Sequence, residues 1–214
     1  MKRLLMLVII SSIEIGSANA HPVTYKGGYS LTGEYTEERK EGELSYSFSE
    51  KDAFAFSLIE LKTEYEGEKD SLVFLLPKYN TRLYRRNELD SQANVYLFLG
   101  LGAVNNDSET HLSSLFGAQA DYETRRIYTL ASLETIQSEG DLDYHKGRYR
   151  LGFSPYLTGY DSIHTWLIGQ VEYSTSTKDP WTFTPLVRFF YKTYLLEVGS
   201  STRGDIFVTG MIHF

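Results

Sequence analysis

One pair of residues in the sequence has the types and spacing that suit nucleophilic catalysis. His111 and Ser113 are one residue apart, so on a β-strand the imidazole and the hydroxyl project from the same face. An imidazole beside a serine can take up its proton and activate the hydroxyl for attack on an acyl group. Glu109 or Glu134 would then orient the ring. The alternative is that His111 is a polar residue beside a turn, because this spacing is common by chance.

A second set of residues suits metal binding. If a leader is removed after residue 20, the chain starts at His21, whose free amine and imidazole form a bidentate site for Cu(II). Pro22 has no amide hydrogen, which blocks a chelate that continues through deprotonated backbone amides. One more imidazole would complete a three-nitrogen copper site, and the candidates are His111, His145, His164 and His213. His213 is favoured, because strand alternation turns it toward the lumen and an even number of strands brings both ends of the chain to one rim. Otherwise His21 is a terminal residue without a ligand role, and His213 is bonded to water.

Residues 1–20 have the composition of a cleaved secretory signal. Lys2 and Arg3 precede an apolar run from Leu4 to Ile10, and Ala18 to Ala20 provides small residues for cleavage. The apolar run is far shorter than the roughly 20 residues that a membrane-spanning helix needs. We therefore expect cleavage after Ala20 and a single domain over residues 21–214.

The composition excludes several classes of protein. The formal net charge is −7, which argues against nucleic acid as a partner, and the absence of cysteine excludes a disulfide scaffold and a thiolate metal site. Mean hydropathy is only −0.30, although 14% of residues are aromatic and 17 are tyrosines. Both observations are typical of a transmembrane β-barrel, in which only alternate residues face lipid and aromatic girdles lie at the two interfaces.

Alternation with a period of two is clearest near the carboxyl end. Between residues 204 and 214, one face carries Ile206, Val208, Gly210, Ile212 and Phe214. Between residues 181 and 191, apolar residues alternate with a set that includes Arg188. We interpret the charged face as a wet lumen, in which Arg188→Ala is tolerated better than Val187→Arg. The residues expected to fill that lumen are Glu123, Arg148, Arg150, Gln170, Glu172 and Arg188.

The chain divides into about twelve strand-like segments (10–14) separated by short polar turns. An even number brings both ends to one rim, as in single-chain bacterial barrels. The predicted strands are 28–36, 43–49, 53–66, 71–86, 93–104, 111–124, 126–137, 144–158, 162–176, 181–191, 194–200 and 204–214. Glu37 to Gly42 is interpreted as a charged outer turn. Acidic turns of this kind either bind divalent cations that bridge lipopolysaccharide phosphates or are simply solvated.

The final strand resembles that of Gram-negative outer-membrane β-barrels, which end on a phenylalanine after alternating apolar residues. The resemblance implies an all-β, closed, antiparallel, up-and-down transmembrane barrel in the outer membrane. It also implies contact with outer-membrane lipids and lipopolysaccharide, and with the assembly machinery through Phe214. The His-x-Ser arrangement is similar to that of outer-membrane phospholipases and lipid A deacylases.

Two short stretches, Tyr25 to Gly28 and Leu89 to Leu97, resemble uncharacterised exported proteins found beside copper- or heavy-metal-resistance genes. This resemblance implies a metal-stress context and no mechanism. The sequence thus favours a small, non-enzymatic outer-membrane barrel linked to copper handling or envelope maintenance. The alternatives are an outer-membrane lipid hydrolase that uses His111 and Ser113, and a soluble periplasmic all-β binding protein.

Overall fold

The computed structural model describes residues 21–65, 68–106, 109–139, 142–159 and 161–214. The expected signal peptide, residues 1–20, lies outside the described residues. No helix that is long and apolar enough to cross a membrane occurs within these ranges.

Twelve antiparallel strands form one closed barrel, which confirms the predicted fold class and strand number. Each strand pairs with its neighbours in the chain, and β1 pairs with β12 to close the wall. The strands are β1 Tyr29–Tyr35, β2 Arg39–Ser47, β3 Asp52–Tyr65, β4 Glu68–Asn87, β5 Ser91–Asn106, β6 Glu109–Thr124, β7 Ile127–Ser138, β8 Leu142–Phe153, β9 His164–Ser174, β10 Trp181–Tyr191, β11 Tyr194–Ser200 and β12 Ile206–His213. Because the number is even, β1 starts and β12 ends at the same rim, which we call the inner rim; the opposite one is the outer rim.

The strands differ greatly in length around the wall. Strands β1 and β11 have 7 residues each and β12 has 8, whereas β4 has 20 and β5 has 16. The short strands are neighbours and lie on either side of the β1–β12 seam. The wall is therefore low at the seam and high on the opposite side.

Apolar side chains cover the outside of the barrel and charged side chains face inward. Leu133 is 69% exposed and Phe183 is 46% exposed, whereas Arg188 and Glu197 are 2% and 1% exposed. Alternation along each strand produces this inside-out arrangement, as in proteins whose outer surface faces lipid. The faces predicted for residues 181–191 and 204–214 are confirmed.

The lumen is only partly polar. Toward the outer rim, an apolar cluster fills the interior beside β3 to β8, and it consists of Ile59, Leu61, Leu72, Phe74, Leu76, Val104, Leu115, Ile136 and Tyr144. A second cluster on the other side of the lumen contains Tyr128, Leu130, Trp166, Ile168, Leu186 and Phe207. Dispersion contacts and exclusion of water thus hold parts of this interior together. The expectation of a uniformly wet lumen is therefore wrong.

The charged stretch Glu37 to Gly42 was expected to be a turn, and this is wrong for most of its length. The turn is tight, with the Thr36 amide donating to the Arg39 carbonyl over 2.8 Å, and β2 begins at Arg39. Arg39 and Glu41 project into the lumen, where their charges are paired. A strand whose inner face is charged resembles a turn in composition, which explains the error.

Strand β8 also ends earlier than predicted, at Phe153 instead of residue 158. Pro155 lacks the amide hydrogen that a central strand needs. Residues 154–163 therefore form the connection to β9 at the inner rim.

Candidate functional site

A network of buried charges occupies the middle of the lumen. We call it the lumen ion-pair network, and it contains equal numbers of carboxylates and cations: Glu34, Glu41, Glu43, Glu134, Glu172 and Glu197 with Arg39, Lys78, Lys146, Arg148, Arg150 and Arg188. Buried charges are tolerated only when they are paired and hydrogen-bonded. All six residues predicted to fill the lumen do face inward, and five of them belong to this network or contact it directly, namely Arg148, Arg150, Gln170, Glu172 and Arg188.

Two ion pairs cross the lumen from wall to wall. Arg148 on β8 binds Glu34 on β1 with both terminal nitrogens, at 2.8 and 2.7 Å, although four strands separate β8 from β1. Lys146 adds a third contact to Glu34 at 3.0 Å. A two-pronged guanidinium–carboxylate bond is among the strongest charge-assisted hydrogen bonds. These contacts therefore tie opposite sides of the barrel together.

The second crossing joins β2 to β7. Arg39 donates to Glu134 over 2.5 Å and to its strand neighbour Glu41 over 2.8 Å. Its guanidinium also lies 5.7 Å from the centre of the Tyr144 ring. Arg39 thus contacts Glu134, Glu41 and Tyr144. Because Tyr144 belongs to the apolar cluster toward the outer rim, Arg39 links that cluster to the lumen ion-pair network.

Glu197 is the most deeply buried acid of the network. Arg188 donates to it over 2.7 Å and Arg150 over 3.2 Å. The Arg188 guanidinium also lies 4.2 Å from the centre of the Tyr128 ring, a cation–π contact. Removing one member of such a group leaves an unbalanced buried charge, so these residues depend on one another.

The N-terminal segment, residues 21–27, folds back into the lumen at the inner rim. Val23 is fully buried against Ala53 and Tyr96, and its carbonyl accepts a hydrogen bond from Arg82 over 2.6 Å. The Thr24 amide donates to the Ser47 hydroxyl over 2.9 Å. Gly27 has a φ of +84°, which lets the chain reverse there and enter β1. The segment thus covers part of the inner mouth of the barrel.

A cavity of about 200 Å³ lies between the N-terminal segment and the lumen ion-pair network. It has room for roughly six water molecules at about 30 Å³ each. Asn80 Oδ1 and Thr209 Oγ1 are among the polar atoms in its wall that have no hydrogen-bond partner. His21 and Met211 also line it. The cavity is therefore a polar chamber that brings together residues from both ends of the described chain.

The two histidines predicted to bind metal both lie at the inner mouth. His21 is 9% exposed; its Nε2 is 3.1 Å from Gln92 Nε2, and its Nδ1, 3.9 Å from Asp121 Oδ2, has no hydrogen-bond partner. Burial, and then the charge of Arg82, lower the pKa of His21 to about 3, so its ring is neutral. His213 Nε2 lies 2.9 Å from Met211 Sδ. Within the described ranges, no group of three histidine, aspartate or glutamate residues is arranged to hold a metal ion.

His111 and Ser113 project from one face of β6, as the sequence predicts, and Ser113 is 1% exposed. The Ser113 hydroxyl donates to the Gln137 carbonyl over 3.2 Å. His111 Nε2 is 3.5 Å from Glu109 Oε2. Glu134, the other residue proposed to orient the imidazole, is bound to Arg39. Ser113 and Glu134 are thus engaged with other partners, whereas His111 contacts Glu109.

A different serine–histidine contact lies in the β8–β9 connection. Ser154 Oγ is 2.8 Å from His164 Nε2 and donates to the Tyr156 carbonyl over 2.5 Å. Since the hydroxyl has a single hydrogen, the imidazole then acts as the donor to Ser154. Ser154 is 2% exposed, so this contact fastens the connection. No pattern in the sequence indicates this contact, because its partners are ten positions apart and are joined by a loop.

Arg203 joins three turns at the outer rim. It donates to Glu38 over 2.6 Å and to the Asp179 carbonyl over 2.6 Å, and it also contacts Thr182. Partial burial raises the pKa of Glu38, and the positive charge of Arg203 opposes that rise. No local pattern in the sequence indicated this contact, since the partners are 165 residues apart.

No protein-family model matches the chain, and no curated protein matches it. Several solved structures are similar to it. The KdgM porin in complex with disordered oligogalacturonate is 11% identical over 87% of this chain and 98% of its own, with a TM-score of 0.49. LpxR from Salmonella typhimurium is 8% identical over 87% of this chain and 99% of its own, with a TM-score of 0.47. The translocator domain of the autotransporter NalP from Neisseria meningitidis is 9% identical over 87% of this chain and 85% of its own, with a TM-score of 0.37. At these identities the likeness concerns the barrel fold alone.

Proposed function

We infer that the protein is a small, non-enzymatic outer-membrane β-barrel that is held closed by its lumen ion-pair network and contributes to envelope maintenance. The exposed apolar outer wall supports placement in a bilayer, because monomeric soluble proteins rarely expose so many large apolar side chains in one continuous surface. Outer-membrane lipids and lipopolysaccharide are the partners of that surface, and Phe214 is the residue read by the assembly machinery.

The observation that carries the proposal is the pair of crossings through the lumen. Arg148 with Glu34, and Arg39 with Glu134, place charged side chains across the path that a permeant would take. The apolar cluster toward the outer rim and the N-terminal segment at the inner rim occupy the space on either side. A lumen filled in this way suits a closed barrel better than a general diffusion pore.

Single-channel recording of the refolded protein in planar bilayers tests the proposal. The intact protein should show no sustained conductance, whereas a variant that loses both crossings, Glu34→Ala with Arg39→Ala, should conduct. A matched control is Lys40→Ala with Glu60→Ala, which removes an ion pair of 2.9 Å on the outer surface and should leave the recording unchanged. A large, steady conductance of the intact protein would overturn the closed-barrel proposal.

Cell fractionation distinguishes the proposed outer-membrane barrel from a soluble periplasmic binding protein. The protein should be recovered with outer membranes, and its migration in detergent gels should shift between unboiled and boiled samples. Recovery in the periplasmic fraction without a heat-dependent shift would contradict the membrane assignment.

A further inference from the structure

Three potential metal ligands lie at the inner mouth. Met211 and His213 project from the same face of β12, and their Sδ and Nε2 atoms are 2.9 Å apart. His21 and Met211 line the same cavity, although they lie near opposite ends of the chain.

We propose that Met211, His213 and His21 form a three-coordinate binding site for Cu(I) at the inner rim of the barrel. Soft thioether sulfur and imidazole nitrogen are ligands that favour Cu(I). The sequence alone pointed to an all-nitrogen Cu(II) site; the position of Met211 changes both the ligand set and the oxidation state.

The ligand atoms need only small movements to accommodate an ion. Metal–nitrogen and metal–sulfur bonds of about 2.0 and 2.3 Å, at the angle of about 120° of a three-coordinate site, place the two ligand atoms roughly 3.7 Å apart. The Sδ and Nε2 atoms must therefore separate by about 0.8 Å. The methionine side chain can supply this movement, because it is unbranched and has three rotatable bonds.

His21 supplies the third ligand atom. The Gln92 amide donates to Nε2 of the neutral ring over 3.1 Å, so Nε2 carries the lone pair and the buried Nδ1 carries the hydrogen. A neutral imidazole nitrogen with a lone pair is what a metal ion needs. Rotation of the ring toward the cavity would exchange the contact with Gln92 for a metal bond.

The local charges favour a monovalent ion over a divalent one. The guanidinium groups of Arg82 and Arg188 act on the His21 ring, and they repel a divalent ion twice as strongly as a monovalent one. Carboxylates suit Mg²⁺, Ca²⁺ and Mn²⁺, and within the described ranges no group of three histidine, aspartate or glutamate residues is arranged to hold such an ion. The cavity of about 200 Å³ is large enough to admit the ion.

The sulfur in this site can be identified without ambiguity. The sequence has no cysteine, and its three methionines are Met1, Met6 and Met211, so Met211 is the only sulfur in residues 21–214. Any Cu–S scattering in an X-ray absorption spectrum of the chain without its first 20 residues must therefore come from Met211.

The test is an anaerobic Cu(I) titration of the barrel purified from membranes, in competition with the colorimetric chelator bicinchoninate, together with X-ray absorption spectroscopy. One Cu(I) should bind per chain, with one sulfur and two nitrogens around it. Met211→Leu, which keeps an apolar side chain of similar volume, should weaken binding at least tenfold and remove the Cu–S signal. His213→Ala and His21→Ala should each weaken binding at least tenfold.

His145→Ala is the matched control, because His145 projects from the outer surface and should not affect binding. Heat-dependent gel migration shows whether each variant has folded. The proposal is overturned if the intact protein does not compete with the chelator, if its spectrum lacks sulfur, or if any one of the three folded ligand variants binds as tightly as the intact protein. If a variant does not fold, the presence or absence of the Cu–S signal in the X-ray absorption spectrum of the intact protein decides whether the proposal stands.

Discussion

Arg148 on β8 binds both carboxylate oxygens of Glu34 on β1, at 2.7 and 2.8 Å, across the lumen of the barrel. The four strands β9 to β12 lie between them along the wall. A contact of this kind fixes the distance between opposite walls, which hydrogen bonds between neighbouring strands cannot do. The charged lumen is therefore part of what determines the shape of the barrel.

Glu34→Gln should destabilise the barrel by about 3–5 kcal/mol, because it leaves Arg148 and Lys146 buried without a full counter-charge. The free energy of unfolding can be measured with urea for protein folded into lipid vesicles. The matched control is Glu60→Gln, which breaks the exposed pair with Lys40 and should cost no more than about 1 kcal/mol. Equal effects of the two substitutions would contradict a structural role for the crossing.

Val187→Arg and Arg188→Ala should both be costly, for different reasons. Val187 faces outward, and an arginine near the bilayer midplane costs about 2–4 kcal/mol. Arg188→Ala leaves the buried Glu197 with Arg150 alone and should cost about 3–5 kcal/mol. This replaces the sequence-based expectation that Arg188→Ala is well tolerated.

A double-mutant cycle distinguishes the two causes. Glu197→Ala should cost less in the Arg188→Ala background than in the intact protein, since the pair between these two residues is already lost. In the Val187→Arg background, Glu197→Ala should cost as much as in the intact protein, because Val187 lies on the other face of β10. Non-additivity in both backgrounds, or in neither, would show that the two faces of β10 have been assigned wrongly.

Deletion of Phe214 should reduce the amount of protein in the outer membrane several-fold. Phe214 exchanges two backbone hydrogen bonds with Tyr29, at 2.7 and 3.0 Å, and its ring stacks on that of Tyr29 with centres 5.7 Å apart. The deletion therefore removes the last contacts of the closing seam. Immunoblots of membrane and periplasmic fractions measure the effect. Phe54→Ala, which removes another exposed aromatic ring near the inner rim, is the control and should insert normally.

Arg203→Ala should destabilise the outer rim more at pH 7 than at pH 4. Burial already raises the pKa of Glu38, and removing Arg203 raises it further. A carboxyl whose folded pKa lies above its unfolded pKa is most compatible with folding when protonated, so stability falls as the pH rises through that range. The loss should therefore shrink in acid, where Glu38 is neutral.

Urea unfolding of the Arg203→Ala variant at both pH values checks this expectation. In the background of Glu38→Gln, which cannot ionise, the same substitution should show little dependence on pH between 4 and 7. A pH dependence that persists in that background would assign the effect to another group.

Local sequence patterns predicted the wall of the barrel well. Strand β10 was placed at its observed bounds because Trp181 to Tyr191 alternates without interruption. The lumen was less predictable. Arg39 belongs to a charged stretch that looks like a turn, and its partner Glu134 is 95 residues away. A pattern with a period of two assigns a side chain to a face; it does not show which inward residues meet across the interior.

The structure of the inner mouth was likewise only partly predictable from the sequence. The sequence indicated that His21 and His213 would lie at one end, because an even number of strands brings the two ends together. It gave no sign that residues 21–27 fold into the lumen, because that path depends on Arg82 and Ser47, which belong to two other strands. Met211 and His213 are two residues apart, so alternation places them on the same face of β12, but the sequence pattern does not show that their side chains touch.

The unequal strand lengths have a consequence for the lipid around the protein. A strand that crosses a bilayer uses about 9–11 residues, whereas β1, β11 and β12 have 7, 7 and 8. A bilayer adapts to strands this short by becoming thinner beside them, at a cost of fractions of a kcal/mol per ångström of hydrophobic mismatch. We therefore expect the bilayer to be thinner along the seam where the first and last strands join than elsewhere around the barrel.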